Sequence, residues 1–304
     1  MKNKKIIIGS RESKLALIYA DRVKDLLAKN EEVGSIEIKS ITTTGDTIQN
    51  VRVSEHGGKG LFCKTIEQEL LEDKIDIAVH ALKDMPTEET DGLSTNCFLE
   101  RNDPREVLIS KENKHLKDLA PNSIVGTSSF RREFQIKRIR EDIDCKIIRG
   151  NVDTRIKKLH DNLYDAIILS YAGIESLGLA QKISQTFSTS EIIPSAGQGV
   201  VALQCRKNDN ELITLLKKIN HQKTHKCIKA ERSVLKVLEG DCETAVGAFA
   251  IIDENKINLE AELFSLDGKK RFHLKLSDEI DKAEELGIKV GKTLKKLSNN
   301  LYKK

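Results

Sequence analysis

The sequence has no long hydrophobic run, no closely paired cysteines and almost no excess of either charge. Near the start the apolar run Ile6 to Ile8 stops at Gly9, too short for a secretory signal core, and no later run approaches a membrane span. A cytoplasmic protein without a membrane partner is expected. The six cysteines, Cys63, Cys97, Cys145, Cys205, Cys227 and Cys242, form no C-x-x-C pair and have no histidine at zinc-site spacing. Reduced thiols are expected, and no metal. Lys and Arg total 51 against 47 for Asp and Glu, a net charge of +4 with the two signs interspersed, which disfavours a nucleic-acid partner. No G-x-x-x-x-G-K-[ST] loop is found. The glycine-rich segment Ser54 to Phe62 lacks that spacing, and it reads either as a mobile lid carrying Lys59 or as a plain flexible loop.

What is present is globular. A chain of 304 residues with 38% apolar and 32% charged residues suits two or three domains, each with its own core. Lys4 to Ile8 reads as a buried strand, and Ser13 caps a run with Leu15, Ile18, Tyr19, Val23, Leu26 and Leu27 on one helical face. The pattern continues with a strand at Ile36 to Ile41, a helix at Leu61 to Leu71 and a strand at Ile75 to Val79. A second set follows Glu100 to Glu106: a strand at Ile124 to Gly126, a helix over Arg131 to Arg140, a strand at Lys146 to Ile148, a helix over Val152 to His160 and a strand at Ala166 to Leu169. Apolar strands alternating with helices predict mostly parallel sheets covered on both faces. Ile193 to Gly199 reads as a crossing between domains, leading into a buried strand at Val200 to Cys205. After a helix near Lys223 to Leu238, alternation over Val246 to Ile252, Ile257 to Leu266 and Arg271 to Leu276 predicts an antiparallel sheet, closed by a helix over Ala283 to Leu297. The expected domains are 1–99 with 195–218, 100–194, and a smaller α+β domain at 219–304.

Two segments point to chemistry first. GTSSFRR, Gly126 to Arg132, and RGNVDTR, Arg149 to Arg155, put Arg131, Arg132, Arg149 and Arg155 beside strand-to-helix turns with Thr127, Ser128, Ser129 and Asn151. Planar guanidinium forks and small donors at helix starts suit a ligand with several carboxylates. In Ile77 to Pro86 a buried strand runs straight into Lys83 and Asp84, where open α/β sheets hold ligands; a carboxylate there serves as general acid or base, and a solvated Asx turn is the alternative. Cys242 lies in a turn, either as a nucleophile or as one more packed thiol. Glu239, Asp241 and Glu243 disfavour its thiolate, so it needs a strongly electrophilic partner. His221 and His225 are i, i+4 with no third ligand nearby and are read as exposed helix histidines.

The sequence resembles the porphobilinogen deaminase family over nearly its whole length. RESKLA (Arg11 to Ala16), TTGD (Thr43 to Asp46), GGKGLF (Gly57 to Phe62), VHALKDMP (Val79 to Pro86), ERNDPRE, GTSSFRR, RGNVDTR, DAIILSYAGIESLGL (Asp165 to Leu179), PSAGQG and LEGDC occur in the family's order. The resemblance implies two solute-binding-protein-like α/β domains around a cleft plus the smaller C-terminal domain. It implies a transferase, hydroxymethylbilane synthase, that joins four porphobilinogens head to tail on a dipyrromethane cofactor and releases ammonia at each step. The cofactor is implied to be a thioether on Cys242, which captures the electrophilic azafulvene derived from porphobilinogen. Asp84 is implied as the catalytic carboxylate. Lys83, Thr127, Ser128, Ser129, Arg131, Arg132, Arg149 and Arg155 are implied, with Asp84, to hold the cofactor. Arg11, Ser13, Arg149, Arg155 and Gln198 are implied to hold substrate. A monomer with a small-molecule substrate is expected; the other function considered is a non-catalytic two-lobed anion-binding protein. Three departures from the family pattern stand out: Ala81 where a serine usually precedes Lys-Asp, Ser176 where an arginine often precedes Leu-Gly, and Asp241 and Ala245 in the cysteine turn.

Overall fold

The computed structural model describes residues 4–47, 60–240 and 244–303. β1 (Lys4–Arg11) buries Ile6 and Ile8 and leads through Ser13, the N-cap of α1 (Lys14–Ala28), into a helix that buries Tyr19, Val23 and Leu27. β2 (Val33–Ile41), α2 (Thr44–Thr47), α3 (Lys64–Leu71), β3 (Ile77–Ala81) and β4 (Leu93–Phe98) complete the first pass. The chain then builds a second sheet from β5 (Glu106–Ser110), β6 (Ile124–Gly126), α4 (Phe130–Ile139), β7 (Asp144–Lys146), α5 (Val152–His160), β8 (Ala166–Ser170), α6 (Tyr171–Ser176) and β9 (Gln185–Thr186). β10 (Val201–Arg206) and α7 (Asn210–Ile219) return to the first sheet. α8 (Gln222–Leu238), β11 (Val246–Asp253), β12 (Lys256–Phe264), β13 (Arg271–Glu279) and α9 (Ala283–Ser298) follow.

The fold is α/β, with two five-stranded sheets and a smaller three-stranded α+β sheet. The first sheet has the order β2-β1-β3-β10-β4 and the second β7-β6-β8-β5-β9. Both are mixed, which corrects the expectation of mostly parallel sheets. In the first, β1 runs parallel to β2 and β3, whereas β10 is antiparallel to β3 and β4. In the second, β6 is parallel to β7 and β8, and β5 is antiparallel to β8 and β9. The physical reason is shared. β5 and β10 directly follow the two crossings of the chain, so each reaches its sheet without a covering helix and runs against its neighbour. Strand β3 shows the predicted two-sided burial: Ile77 and Val79 pack with residues of α1 and α7, while Ala78 packs with Ile66 and Leu70 of α3. β4 and β5 were not anticipated, because LSTNCF carries polar residues at its centre and EVLIS follows a run of charges.

By compactness the chain forms two units: Met1–Ile48, Lys59–Asn102 and Val200–His225 in one, and Gln49–Gly58, Asp103–Gly199 and Lys226–Lys304 in the other. The second and third sheets share a unit because the segment around Ile193 is held from both. Gln135 of α4 exchanges two hydrogen bonds with the Ile193 backbone, at 2.6 and 3.0 Å, and Ala248 N–H donates to Pro194 O at 3.0 Å. Buried Glu231 accepts from Gly197 N–H and Ala250 N–H, both at 2.8 Å. In the third sheet's core, α8 and α9 approach so closely that a Cβ on Gly287 would lie 2.2 Å from Ala230 O. Gly287→Ala is therefore expected to cost about 1–3 kcal/mol, seen as a lower thermal midpoint. An unchanged midpoint would mean that the helices part freely.

His221 and His225 are not exposed helix histidines. His221 Nδ1 lies 2.8 Å from Thr224 Oγ1, and His225 packs edge-on to Phe98 with ring centroids 5.0 Å apart. They close the start of α8 on the end of β4. Among the described residues no cysteines are joined in a disulfide, no group of three or more His, Cys, Asp or Glu is placed to hold a metal, and no helix is long and apolar enough to cross a membrane.

Candidate active site

β1 and β3 are parallel neighbours, with Ile8 opposite Ile77 and Gly9 opposite Ala78, so both chains leave the sheet at the same end. Arg11 terminates β1, and a short 3-10 turn, Leu82–Asp84, follows β3. Carboxyl ends of parallel strands are where an open sheet leaves backbone and side chains available to a ligand. A cavity of about 60 Å³ opens there, and Arg11, Ser13, Tyr19, Phe62, Cys63, His80, Ala81 and Asp84 are among its lining residues.

Local interactions set the character of this cavity. Arg11 Cζ stands 4.2 Å from the centroid of the Phe62 ring, a cation–π contact that fixes the guanidinium plane. Ser13 Oγ accepts from Ala16 N–H at 3.4 Å as the helix cap, leaving its own proton to donate. Cys63 Sγ donates to Asp84 O at 3.8 Å, which ties the turn to the start of α3. Asp84 is exposed and Lys83 half-buried. Ala81 forms part of the wall, so this position contributes no hydroxyl to the cavity surface.

Most of the remaining candidates belong to the other unit. Thr127 is buried and its Oγ1 accepts from Ser129 N–H at 3.2 Å; Ser129 Oγ caps α4 by accepting from Arg132 N–H at 3.4 Å. Ser128 Oγ donates to Ile148 O at 2.6 Å, joining the ends of β6 and the following segment. Arg131 and Arg132 both reach the fully buried Glu106: Arg131 Nη2 at 2.6 Å from one oxygen and Arg132 Nη2 at 2.8 Å from the other. Burial lowers the pKa of Arg131, Arg132 adds to that, and Glu106 opposes it. Arg131 also donates to Ile193 O, and Arg132 to Ile168 O. These two arginines are therefore part of the interior scaffold at the α4 N-terminus. Arg149 and Arg155 are half-buried around the turn into α5, where Arg155 Nε donates to Gly150 O at 2.8 Å. Gly150 has φ +108°, and a Cβ there would lie 2.6 Å from Thr154 Cγ2, so this turn requires glycine.

Gln198 is buried, with its Nε2 donating to Pro104 O at 2.6 Å and Ser195 Oγ 3.4 Å from its Oε1. Its amide braces the crossing segment against the segment before β5. Lys59 and Cys242 lie outside the described residues, as does Asp241. Glu106, His80, Phe62 and Tyr19 were missed as site residues. Their signal was available for two of them: Glu106 closes a charged motif immediately before an apolar strand, and His80 interrupts one.

The donor set fits a ligand bearing several carboxylates. At the start of α4 two guanidiniums face one carboxylate, which leaves a positive excess, and Arg132 Nε is buried without a protein partner. Arg149 and Arg155 add two cations at the α5 start, where Asn151 makes no side-chain cap bond. Carboxylates are the natural complement to such groups.

Residues 6–214 match the family model described as "Porphobilinogen deaminase, dipyromethane cofactor binding domain", and residues 225–296 match "Porphobilinogen deaminase, C-terminal domain". The porphobilinogen deaminase of Staphylococcus carnosus is 44% identical over 271 residues, covering 88% of each chain. That of Alkaliphilus metalliredigens is 39% identical over 289 residues, covering 95% of this chain and 92% of its own. Solved structures that align are more distant. The probable amino-acid ABC transporter extracellular-binding protein ytmK of Bacillus subtilis has a TM-score of 0.42 at 12% identity, covering 72% of this chain and 90% of its own. The periplasmic VFT2 domain of Bordetella pertussis BvgS gives 0.43 at 13%, covering 71% and 85%. With both family models matched in order and full-length relatives at this identity, the chain belongs to the porphobilinogen deaminase family.

Proposed function

We infer that the chain is a hydroxymethylbilane synthase: it joins four porphobilinogen molecules head to tail, releases one ammonia per addition, and builds the linear tetrapyrrole used in haem biosynthesis. The observation that carries the assignment of roles is the shared cavity of Arg11 and Asp84 at the ends of β1 and β3. Porphobilinogen has two carboxylates and an aminomethyl group, so its site needs fixed cations and one carboxylate that faces developing positive charge. Arg11, Ser13 and Lys83 bind the substrate carboxylates, Arg11 in the orientation set by Phe62. Asp84 accepts a hydrogen bond from the pyrrole N–H, balances the charge that grows on the ring as ammonia departs, and takes the ring α-proton after the new carbon–carbon bond forms.

The dipyrromethane cofactor, once bound through Cys242, supplies the pyrrole carbon to which the first porphobilinogen is joined. Thr127, Ser128, Ser129, Arg149 and Arg155 hold carboxylates of the cofactor and growing chain, and Arg131 and Arg132 contribute through the positive excess left by Glu106. Lys59 works from the lid. Gln198 contributes to the substrate site by bracing the crossing segment. The domain division that goes with these roles is 1–99 with 195–218, then 100–194, then 219–304 with the cofactor cysteine. The enzyme works as a cytoplasmic monomer on a free small molecule, with no nucleic-acid or membrane partner.

Intact mass measurement of the freshly purified protein, followed by mapping of the peptide that contains Cys242, tests the covalent step. A mass increase equal to a dipyrromethane, located on Cys242, is expected. A chain that is unmodified, and stays so after incubation with porphobilinogen, would show that the Asp241-containing turn does not load cofactor.

A further inference from the structure

His80 sits near the end of β3, 6% exposed, in the wall of the cavity that Asp84 also lines. Its Nε2 is 3.0 Å from Gln204 Oε1 on β10. Gln204 in turn donates from Nε2 to Glu67 Oε1 at 2.9 Å, and Glu67 Oε2 accepts from Thr90 Oγ1 at 2.8 Å. The direction of this chain follows from its far end. Glu67 accepts from both neighbours, so the Gln204 amide must turn its NH₂ toward Glu67 and its oxygen toward His80. An amide oxygen only accepts. His80 Nε2 must therefore carry a proton, and the neutral ring leaves Nδ1 unprotonated.

The interposed amide passes on orientation without passing on charge. A carboxylate in direct contact with the imidazole would favour imidazolium, whereas Gln204 selects the tautomer and keeps Glu67 one residue away. Burial lowers the His80 pKa; the Gln204 hydrogen bond and the charges of Glu67 and Asp84 oppose this, and Arg11 adds to it. The charged groups facing the ring are thus Arg11 from β1, Asp84 from the turn after β3, and Glu67 from α3.

We propose that His80 is a positioning residue of this site, held through Gln204 as the neutral Nε2–H tautomer so that Asp84 stays available to the positive charge of the reacting substrate. This rests on the role assigned to Asp84 above. An imidazolium at His80 would be a second cation in the cavity beside Arg11. It would pair with Asp84 in the resting enzyme, in competition with the substrate, and raise the barrier.

The test uses the full-length enzyme as purified. Ring ¹⁵N and ¹³C NMR of the wild type, with His80 assigned by the signal lost in His80→Gln, reports tautomer and titration without reference to activity. A neutral Nε2–H ring at pH 7 that titrates below the ordinary histidine range is expected. The exchange Gln204→Glu with Glu67→Gln, which sets a carboxylate directly against the ring without placing two carboxylates side by side, should raise that titration and move the acid limb of the kcat profile upward with it. Below the raised value kcat should fall about tenfold per pH unit, with KM changed less. An Nδ1–H tautomer or a charged ring at pH 7 in the wild type would overturn the proposal. So would a raised His80 titration that leaves the kcat profile in place. Failure of the catalytic assignment itself would look different: normal turnover by an Asp84 variant, whatever the NMR shows.

Discussion

Asp84→Asn is expected to reduce turnover of porphobilinogen by about 10³-fold or more, with the fold unchanged and the affinity for substrate affected far less. The amide keeps the shape of the side chain and can still accept a hydrogen bond, but it carries no negative charge and cannot take a proton. It therefore removes general acid–base assistance, worth ~10²–10⁴ in rate, together with electrostatic support for the developing cation, worth ~10²–10³. The two effects belong to one group and do not multiply in full. The fold should survive because Asp84 is exposed and the tie between the turn and Cys63 runs through the Asp84 backbone oxygen, which the substitution leaves in place. Steady-state ammonia release and circular dichroism check both halves of the expectation. Turnover within about tenfold of wild type would remove Asp84 from the chemistry.

The second large effect concerns stability. Glu106→Gln should destabilise the protein by about 3–5 kcal/mol, which for a chain of this size corresponds to a fall of roughly 6–10 °C in thermal midpoint. Glu106 is fully buried and faces Arg131 and Arg132, whose side chains are 5% and 10% exposed. Guanidiniums do not shed their charge, so removal of the carboxylate leaves two like charges in a desolvated space, with carbonyl hydrogen-bond partners and only the more distant charge of Glu262 to offset them. The damage should spread beyond α4. Arg131 also holds Ile193 O, and the Ile193 segment is gripped by Gln135 and precedes the Pro194 contact to β11. A midpoint within about 2 °C of wild type would mean that water reaches the cluster and that the ion pairs are solvated. Loss of Glu106 also increases the positive excess at the start of α4, so any effect on cofactor loading should have the opposite sign to the effect on stability.

Much of the local structure was legible from residue patterns. The helices α5 and α9 and the antiparallel third sheet follow from strong periodicities, and the caps Ser13 and Ser129 from the residue types that helix starts select. The ligand class was legible too, because clustered arginines beside small hydroxyl residues have few other complements. What the residue patterns did not reveal were relations between distant segments. β4 and β5 were missed because their pairing partners, β10 and β8, lie far along the chain and supply the context that overrides a weak local signal.

The order of ten motifs, and with it the reading of Asp84 as catalytic and of Cys242 as the cofactor attachment, came from sequence alone, since these readings depend only on which residues stand where. Tertiary structure decided which of the motif arginines serve the interior and which stay near the surface. Arg131 and Arg132 look like Arg149 and Arg155 in the sequence, yet the first two are buried in ion pairs with Glu106 while the others are half-buried around the turn into α5. It also placed His80 in the wall of the cavity that Asp84 lines. A hydrogen-bond chain from β3 through β10 to α3 joins residues 67, 80 and 204, and no local propensity encodes a partner more than a hundred residues away. The reason is the same in both cases: burial penalises a polar group that lacks a partner, and only the folded chain specifies which partner is within reach.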